Sequence, residues 1–407
     1  MELTLSEVKP LIKYIIRNNE RIQDEGKIPK AINIISEAGI GKSETIEQIA
    51  KELDYNFVKI NLAQTTETGD IAGFPLCLHY ACLPDESECK WIAPELIDGY
   101  VKAGYKLTGD VKMSYALPEW YKNLDPHKGV ILLLDDATRA LPNILQACYE
   151  LIYKQEFWSF KLPPRTTVIC TTNPDNGDYN VNSIDEAGTS RMVNFNIKFD
   201  LESWARWAEE HNIDGRTINF MLFHGEELMD SKNTHTHIMN ARNYTMFADI
   251  ISGIDDWSSP ENLAIILQIA SGCFNDPDNI IGGMFTNFIA NKLDKLVSPE
   301  DMLMQDWKVL KPRVKKCVYD GDVYRADIAS ILHTRLLNYI DKYFKTPKSE
   351  TKLVEQRLLN FIDECEDKKN QLLSTDLIFN IIKNILKLYP ARCNSFMLNP
   401  KFRAMIR

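Results

Sequence analysis

Residues 31–43 read AINIISEAGIGKS and join an apolar run to a glycine-containing turn and a Gly-Lys-Ser sequence. The apolar run predicts a buried strand, and residues 42–51 predict a helix. Where a strand turns into a helix, backbone N–H groups and the positive end of the helix dipole point at one place, and glycines let the backbone approach an anion closely. The segment therefore predicts a phosphate-binding turn.

The side chains of this turn have separate expected roles. The Lys42 ammonium is expected to reach the β- and γ-phosphates of a nucleotide, and the Ser43 hydroxyl to ligate Mg²⁺. Ser36 stands where the strict Gly-x-x-x-x-Gly-Lys-Ser pattern has its first glycine. A strand-to-helix turn with a chance Gly-Lys-Ser sequence is the structural alternative. The predicted nucleotide-binding residues are Gly39, Ile40, Gly41, Lys42, Ser43 and Glu44.

The composition is that of a soluble globular protein. Of 407 residues, 44% are hydrophobic and 26% are charged, which predicts two or three domains. The formal net charge of −10 argues against broad binding to nucleic acid or to an anionic membrane. Charges interrupt the apolar run of residues 1–27, and no later run is long enough to span a membrane. We expect an N-terminal amphipathic helix and a cytoplasmic protein without a signal peptide.

The cysteines predict reduced thiols. Nine of them are scattered along the chain, and an odd count is typical of free thiols in the cytosol. Cys77, His79, Cys82 and Cys89 are the one group close enough in sequence to suggest zinc. They contain no Cys-x-x-Cys pair, so ordinary cysteines are the preferred interpretation.

Four further segments predict alternating strands and helices. Residues 54–62 and 166–172 are β-rich, and residues 129–134 form a continuous apolar run, so all three predict strands. Residues 143–154, after Pro142, predict a helix. The alternation predicts an α/β fold with a doubly wound parallel sheet, whose ligand crevice lies at the carboxyl ends of the strands.

Polar residues follow two of these strands. Asp135 and Asp136 come directly after the apolar run, and Asn173 comes directly after the last strand. We expect Asp135 to hold Mg²⁺, Asp136 to orient or deprotonate the attacking water, and Asn173 to bind the γ-phosphate or that water. Arg191 is a candidate for neutralising charge in the transition state. Solvated carboxylates and a simple Asn-Pro turn are the structural alternative.

Two other regions differ from this alternating pattern. Residues 63–128 are long and irregular with few clean periods, which indicates a functional surface or an insertion. Residues 201–210 are amphipathic at helical spacing, and most of the chain beyond them predicts helices.

At this point the sequence resembles a known family, the MoxR-like branch of the AAA+ ATPases. It is most similar to the members associated with von Willebrand factor type A domain proteins. The resemblance covers roughly residues 28–330 and fades towards the C-terminus. It rests on SEAGIGKS (36–43), DIAGFP (70–75), LLLDDATRALPNILQACYEL (132–151), LPPRTTVICTTNP (162–174), TSRMVNFNIKFDLESWARWA (189–208) and ARNYTMFADII (241–251).

The resemblance implies a role for each motif residue. Lys42 and Ser43 match the phosphate loop, and Asp135 matches the Walker B carboxylate that serves the metal. Asn173 matches sensor 1, and Arg191 matches the arginine finger. The predicted metal ligands are Ser43 and Asp135.

Further matches lie in the helical region and in the insertion. Arg242 takes the place of the sensor 2 arginine in a helical lid, and DIAGFP matches the start of the insertion that faces the central axis of the ring in this family. The implied domains are an α/β nucleotide-binding domain (1–199), a helical lid (200–298) and a helical C-terminal extension (299–407). The predicted catalytic residues are Asp136, Asn173, Arg191 and Arg242.

Three residues depart from the family pattern. Ser36 replaces a glycine, Ala241 replaces the proline before the sensor arginine, and Asp136 replaces a glutamate. The shorter side chain sets the Asp136 carboxylate back by about 1.5 Å. These departures bear on the rate of hydrolysis more than on nucleotide binding.

The resemblance implies an ATPase that uses ATP and Mg²⁺ to remodel a protein client. It also implies a homo-oligomeric ring, with six subunits expected, and a von Willebrand factor type A domain protein as the client. A nucleotide-gated scaffold with little turnover is the first alternative. A nucleic-acid-linked nucleoside triphosphatase is the second, and it would need a DNA-reading domain or a basic channel that the sequence does not display. No partner membrane is expected.

Overall fold

The structure of the protein is a computed structural model that describes residues 2–157, 159–174, 186–229, 239–276, 279–365 and 370–406. The chain divides into two compact units, Met1–Lys198 and Phe199–Arg407. The first unit is built on strands and the second almost entirely on helices.

The first unit contains nine strands and seven α-helices among its described residues. Its strands are β1 (Glu2–Leu3), β2 (Ala31–Ile35), β3 (Asn56–Asn61), β4 (Phe74–Cys82), β5 (Cys89–Ile92), β6 (Lys106–Ala116), β7 (Val130–Asp135), β8 (Thr166–Thr172) and β9 (Met192–Ile197). Its helices are α1 (Leu5–Asp24), α2 (Lys42–Leu53), α3 (Gly69–Ala72), α4 (Ile97–Lys102), α5 (Glu119–Lys122), α6 (Pro142–Lys154) and α7 (Glu186–Thr189).

A six-stranded sheet forms the centre of this unit. Its strands lie in the order β1-β9-β2-β8-β7-β3, and each described pairing is parallel. Every residue of β7 and β8 is buried, as expected for parallel strands that are covered on both faces. The three strands predicted from apolar and β-rich runs are thus confirmed as β3, β7 and β8.

Helices cover both faces of this sheet. Because side chains alternate along each strand, neighbouring residues of β7 belong to different cores. On one face, Ile131 of β7 shares a core with Ile12 of α1 and Ile46 of α2. On the other face, Leu132 of β7 shares a core with Ile144 of α6. The prediction of a doubly wound α/β sheet followed by a helical region is confirmed.

The predicted amphipathic helix at the N-terminus is α1. Thr4 begins it with a capping box, because the Thr4 side chain accepts from the Glu7 backbone N–H and the Glu7 carboxylate accepts from the Thr4 backbone N–H. Its buried residues recur at helical spacing: Val8, Ile12, Ile16 and Asn19.

The region predicted as irregular holds a second, antiparallel sheet with the strand order β5-β4-β6. The sequence of β6 alternates polar and apolar residues, but most of the strand is exposed, so the alternation does not mark a buried face. Gly73 directly precedes β4 with a φ of +84°, and a Cβ there would lie 2.0 Å from the Ala116 carbonyl oxygen. Glycine is therefore required at the point where the sheet begins.

A disulfide crosses this small sheet. Cys82 of β4 and Cys89 of β5 are paired in register and bonded to each other. The prediction that all the cysteines are thiols is wrong at this pair, because the hairpin brings two residues seven positions apart face to face. Neither sulfur of the pair is a thiolate that can ligate zinc. Within the described residues, no three His, Cys, Asp or Glu side chains are grouped to hold a metal ion.

The second unit consists of twelve α-helices and one short hairpin in its described part. The helices are α8 (Leu201–Glu210), α9 (Gly215–Leu228), α10 (Ala241–Ile251), α11 (Pro260–Phe274), α12 (Ile280–Ala290), α13 (Pro299–Met304), α14 (Trp307–Val318), α15 (Ala326–Lys345), α16 (Thr351–Cys365), α17 (Thr375–Leu388), α18 (Asn394–Leu398) and α19 (Pro400–Ile406), and the hairpin strands are β10 (Tyr319–Asp320) and β11 (Val323–Tyr324).

One hydrophobic core runs through this unit, from Trp204 of α8 to Phe402 of α19. Side chains from both sides of residue 298 belong to that core. The division into a lid (200–298) and a C-terminal extension (299–407) stays a prediction. None of the helices in the described ranges combines the length and hydrophobicity of a membrane span.

A buried ion pair joins α8 to α15. Arg335 Nε donates to Glu209 Oε1 at 2.5 Å, Arg335 Nη1 donates to Asn219 Oδ1 at 2.9 Å, and the two charged side chains are 6% and 8% exposed. Removing one partner leaves the other charge buried and unpaired. We therefore expect Arg335→Met to lower the free energy of unfolding of the second unit by about 3–5 kcal/mol. Denaturant unfolding followed by tryptophan fluorescence measures this loss.

The matched control is Arg313→Met, in an ion pair with Asp301 whose side chains are 43% and 39% exposed. An exposed pair contributes about 0–1 kcal/mol, so this variant is expected to unfold close to the wild type. Equal losses in the two variants would contradict the structural importance of the buried pair.

Candidate functional site

The turn after β2 has the backbone that its glycines predict. Gly39 and Gly41 have φ values of +83° and +93°, in the left-handed region that favours glycine, and α2 begins at Lys42. Ser36 is not among the residues with positive φ, and its backbone N–H donates to the Thr172 carbonyl at 3.1 Å. The backbone at Ser36 thus continues the sheet and does not require the glycine of the strict pattern.

Lys42 lies at the centre of the turn and is 8% exposed. Its ammonium donates to the Ser36 carbonyl at 2.8 Å, to the Glu37 carbonyl at 3.0 Å and to Asn173 Oδ1 at 3.2 Å. The structure therefore brings the turn and the residue after β8 together around the Lys42 ammonium.

Asp135 forms the acidic part of the same site. Ser43 Oγ donates to Asp135 Oδ1 at 2.9 Å and lies 3.0 Å from Oδ2, and the Thr171 hydroxyl also donates to Oδ1. The carboxyl ends of the parallel strands β7 and β8 meet here, next to the first turn of α2. A hydroxyl and a carboxylate in contact are oxygen donors of the kind that Mg²⁺ prefers.

Lys59 is a site residue that the sequence analysis missed. Its ammonium lies 2.8 Å from Asp135 Oδ2. Burial favours the neutral form of Asp135, but hydrogen bonds from Lys59, Thr171 and Ser43 outweigh it and hold the pKa of Asp135 below its usual value. The sequence does contain a signal for it, since Lys59 is a charged residue between the apolar residues Val58 and Ile60, two residues before the end of β3.

Asp136 has a left-handed backbone, with φ +54° and ψ +43°. Its backbone N–H donates to Thr171 Oγ1 at 3.0 Å, and its side chain is half-buried. Aspartate and asparagine adopt this conformation more readily than other residues with a Cβ. This preference is a physical reason for an aspartate where the family pattern has a glutamate.

Asn173 is 4% exposed and directly follows β8 at the edge of the site. Its backbone N–H donates to Thr138 Oγ1 at 3.2 Å, and its side-chain oxygen accepts from Lys42. The Asn173 side-chain amide is therefore held beside the turn, next to the Lys42 ammonium.

Arg191 lies away from this cluster. It directly precedes β9, and Met192 of β9 pairs with Ala31 at the start of β2, whereas the turn follows the end of β2. Five strand residues separate the two ends, a distance of roughly 16 Å. The Arg191 guanidinium is exposed and lies 5.0 Å from the centroid of the Tyr153 ring.

Arg242 belongs to the second unit. It is the second residue of α10 and is exposed, after a capping box in which the Asn240 and Asn243 side chains each accept from the other's backbone N–H. Ala241 begins the helix in the position where the family pattern has a proline, and its side chain is buried in the core of the unit.

Comparisons with known proteins give distant likenesses. No protein-family model and no curated protein matches the sequence. Among solved structures, a candidate ATPase from Cytophaga hutchinsonii is 14% identical over 68% of this chain and 79% of its own, with a TM-score of 0.30. The RuvB Holliday junction branch migration motor of Thermotoga maritima is 11% identical over 97% of this chain and 85% of its own, with a TM-score of 0.29. PCH-2 of C. elegans is 12% identical over 71% of this chain and 69% of its own, with a TM-score of 0.31. At these values the likenesses carry no argument about function.

Proposed function

We propose that this chain is an AAA+-type ATPase whose first unit binds ATP with Mg²⁺ and hydrolyses it. The observation that supports this most is a single cluster in which Lys42, Ser43 and Asp135 lie at the carboxyl ends of neighbouring parallel strands. An open α/β sheet binds its ligand at that edge. A glycine-containing turn, a helix N-terminus and a buried ammonium together favour a polyphosphate over other anions.

Each residue of the cluster has a proposed task in binding. The Lys42 ammonium, now on two carbonyls of the turn, would transfer to phosphate oxygens, and the N–H groups from Gly39 to Glu44 would surround the β-phosphate. Ser43 and Asp135 would hold the metal, and their oxygen donors fit it. Bound Mg²⁺ supplies positive charge to the phosphate oxygens.

The remaining residues are proposed to act in the hydrolytic step. Asp136 is placed beside the metal carboxylate to orient the attacking water or accept its proton. Asn173 would hydrogen-bond that water or the γ-phosphate. Arg191 would act on the site of a neighbouring subunit, and Arg242 would report the nucleotide to the helical region.

Asp136→Asn is the variant that tests hydrolysis separately from binding. Asparagine keeps the left-handed backbone but removes the base, so we expect nucleotide affinity to stay and turnover to fall by about 10²–10⁴-fold. Phosphate release measures turnover, and calorimetric titration of ATP measures affinity. Unchanged turnover would remove Asp136 from the mechanism.

Asp136→Glu is the informative companion to this variant. It restores the longer carboxylate of the family pattern, but in a backbone conformation that suits glutamate less well. Faster hydrolysis with glutamate would mean that the natural aspartate restrains the enzyme. Slower hydrolysis would mean that the site is built around the shorter side chain.

A second candidate function is a nucleotide-gated scaffold that binds ATP and hardly hydrolyses it. Two observations favour it: Asp136 stands in place of a glutamate, and the Lys59 ammonium contacts the carboxylate proposed to serve the metal. Phosphate release by the wild type, alone and with a partner protein, separates the two functions. Wild-type turnover no higher than that of Asp136→Asn in every condition would favour the scaffold.

We also propose a homo-oligomeric ring, with six subunits expected, that acts on a von Willebrand factor type A domain protein. This part is supported by the sequence resemblance alone. The test is binding of such a purified protein to the chain with a non-hydrolysable ATP analogue and with ADP. Equal and negligible binding in both states would reject this client.

A further inference from the structure

Lys59 reaches Asp135 from the neighbouring strand. Asn61 of β3 is in register with Asp135 of β7, so Lys59, two residues earlier, lies on the same face of the sheet and diagonally next to the carboxylate. The lysine side chain is 43% exposed and the aspartate side chain 9% exposed. A flexible, partly solvated cation thus reaches inward to a buried anion.

Among the described residues, the polar groups that contact the Asp135 carboxylate are hydrogen-bond donors. Oδ1 accepts from Thr171 and Ser43, and Oδ2 faces Ser43 and Lys59. The Lys59 ammonium offsets the charge of the Asp135 carboxylate, so this carboxylate by itself attracts an approaching divalent cation less strongly. A metal ion held through Oδ2 would have to displace the Lys59 ammonium.

We propose that Lys59 is a built-in cation that competes with Mg²⁺ for Asp135, so that the metal binds only together with the nucleotide phosphates. This inference rests on the proposed function, because it concerns the same metal carboxylate. The phosphates bring the negative charge that the site itself lacks, and they offer the displaced ammonium a new partner. Lys59 is thus a positioning and selectivity residue for the metal, not a catalytic one.

The mobility of lysine makes this exchange feasible. Its ammonium is a point charge on a four-carbon stem, and the stem of Lys59 is already partly in solvent, so the head can swing away without disturbing the strand. Ser43 and Thr171 continue to hold Asp135 when the lysine has left. The site therefore keeps its shape in both states.

Lys59→Met tests the inference, since methionine keeps much of the stem and removes the charge. The measurement is Mn²⁺ binding in the absence of nucleotide, followed by electron paramagnetic resonance of the free ion. We expect the variant to bind Mn²⁺ at least about tenfold more tightly than the wild type, because a repelling cation next to the ligand is gone. Lys59→Arg retains the charge and is expected to behave as the wild type.

Lys128→Met is the matched control. Lys128 also forms an ion pair, with Asp54, and its side chain is 38% exposed, but it does not contact Asp135. This variant is expected to leave Mn²⁺ binding unchanged. The double variant Lys59→Met/Asp135→Asn is expected to lose the gained binding, which shows that the ion sits on Asp135.

Linkage supplies a second readout that does not depend on activity. If Lys59 makes the metal depend on the nucleotide, ATP should raise Mn²⁺ affinity less in Lys59→Met than in the wild type, by the same factor as the gain without ATP. Lys59→Gln repeats the measurement with a polar side chain should Lys59→Met fail to fold.

The outcomes separate this inference from the proposed function. Equal Mn²⁺ affinity in Lys59→Met, Lys59→Gln and the wild type, with normal binding of Mg²⁺ and ATP together, would overturn the inference and leave the ATPase proposal standing. Absence of ATP binding in the wild type would overturn both the proposed function and the role of the nucleotide in this exchange. A gain in Mn²⁺ affinity that depends on Asp135 and shrinks with ATP supports the inference.

Discussion

Lys42→Ala is expected to abolish measurable ATP binding. The Lys42 ammonium is nearly buried and is the cation around which the turn folds, with two carbonyl contacts that phosphate oxygens would replace. Loss of two charge-assisted hydrogen bonds costs about 3–6 kcal/mol, which is roughly 10²–10⁴-fold in affinity. Calorimetric titration of ATP with Mg²⁺ measures the change.

The control for this variant is Lys51→Ala. Lys51 lies on the same helix, but it is 74% exposed and pairs with Glu47 on the surface. Its removal is expected to leave ATP affinity within about twofold of the wild type. Wild-type affinity in Lys42→Ala, with its fold verified by circular dichroism, would reject the assignment of the phosphate-binding turn.

Arg191→Ala is expected to lower turnover by about 10³–10⁵-fold while ATP binding stays, provided that the guanidinium acts in trans. Arg191 lies about one strand length from the turn of its own subunit, at the amino ends of the parallel strands. Its charge is of no use to that site. It becomes useful where a neighbouring subunit presents its own phosphate-binding turn to this flank.

Arg165→Ala is a matched control for Arg191→Ala. Arg165 directly precedes β8 as Arg191 precedes β9, and its side chain is 50% exposed in an ion pair with Glu20. Turnover in this variant is expected to stay near that of the wild type. A comparable loss in both variants would point to a structural effect at this edge of the sheet.

A mixing experiment then separates action in trans from action in cis. Arg191→Ala and Asp135→Ala proteins are each expected to be inactive. When they are combined at rising ratios, some interfaces pair an intact site with an intact arginine, and activity should reappear. Zero activity in verified mixed oligomers would remove Arg191 from the catalytic residues.

Much of the first unit was predictable from the sequence because its signals are local. Parallel strands buried on both faces read as short apolar runs, and the predicted limits of β8 match the structure residue for residue. The turn was predictable because only glycine adopts the positive φ of Gly39 and Gly41 without strain. The proximity of Asp135 and Asn173 was predictable because Asp135 ends the buried strand β7, Asn173 follows the buried strand β8, and parallel strands end at one edge.

The ion pairs, disulfide and hydrogen bonds between strands could not be predicted, because they depend on which strands lie next to each other. The Lys59–Asp135 ion pair forms because β3 lies beside β7, and the disulfide forms because β4 and β5 are paired in register. A hydrogen-bonded row of polar side chains, buried at Thr172 and Asn33 and exposed at Asn194, crosses three further strands. Thr172 of β8 donates to Asn33 of β2, which donates to Asn194 of β9.

The sequence by itself determined the succession of β2, the turn, α2, β3, β7, α6 and β8, and the chemistry of the residues at the ends of these strands. Only the tertiary structure decided that Lys59 contacts Asp135, that Asp136 has a left-handed backbone, and that Arg191 lies at the amino ends of the strands. The physical reason is the separation along the chain of the residues that interact. Turn and strand signals come from neighbours in the chain, whereas lateral strand order and side-chain pairing come from packing between residues tens of positions apart.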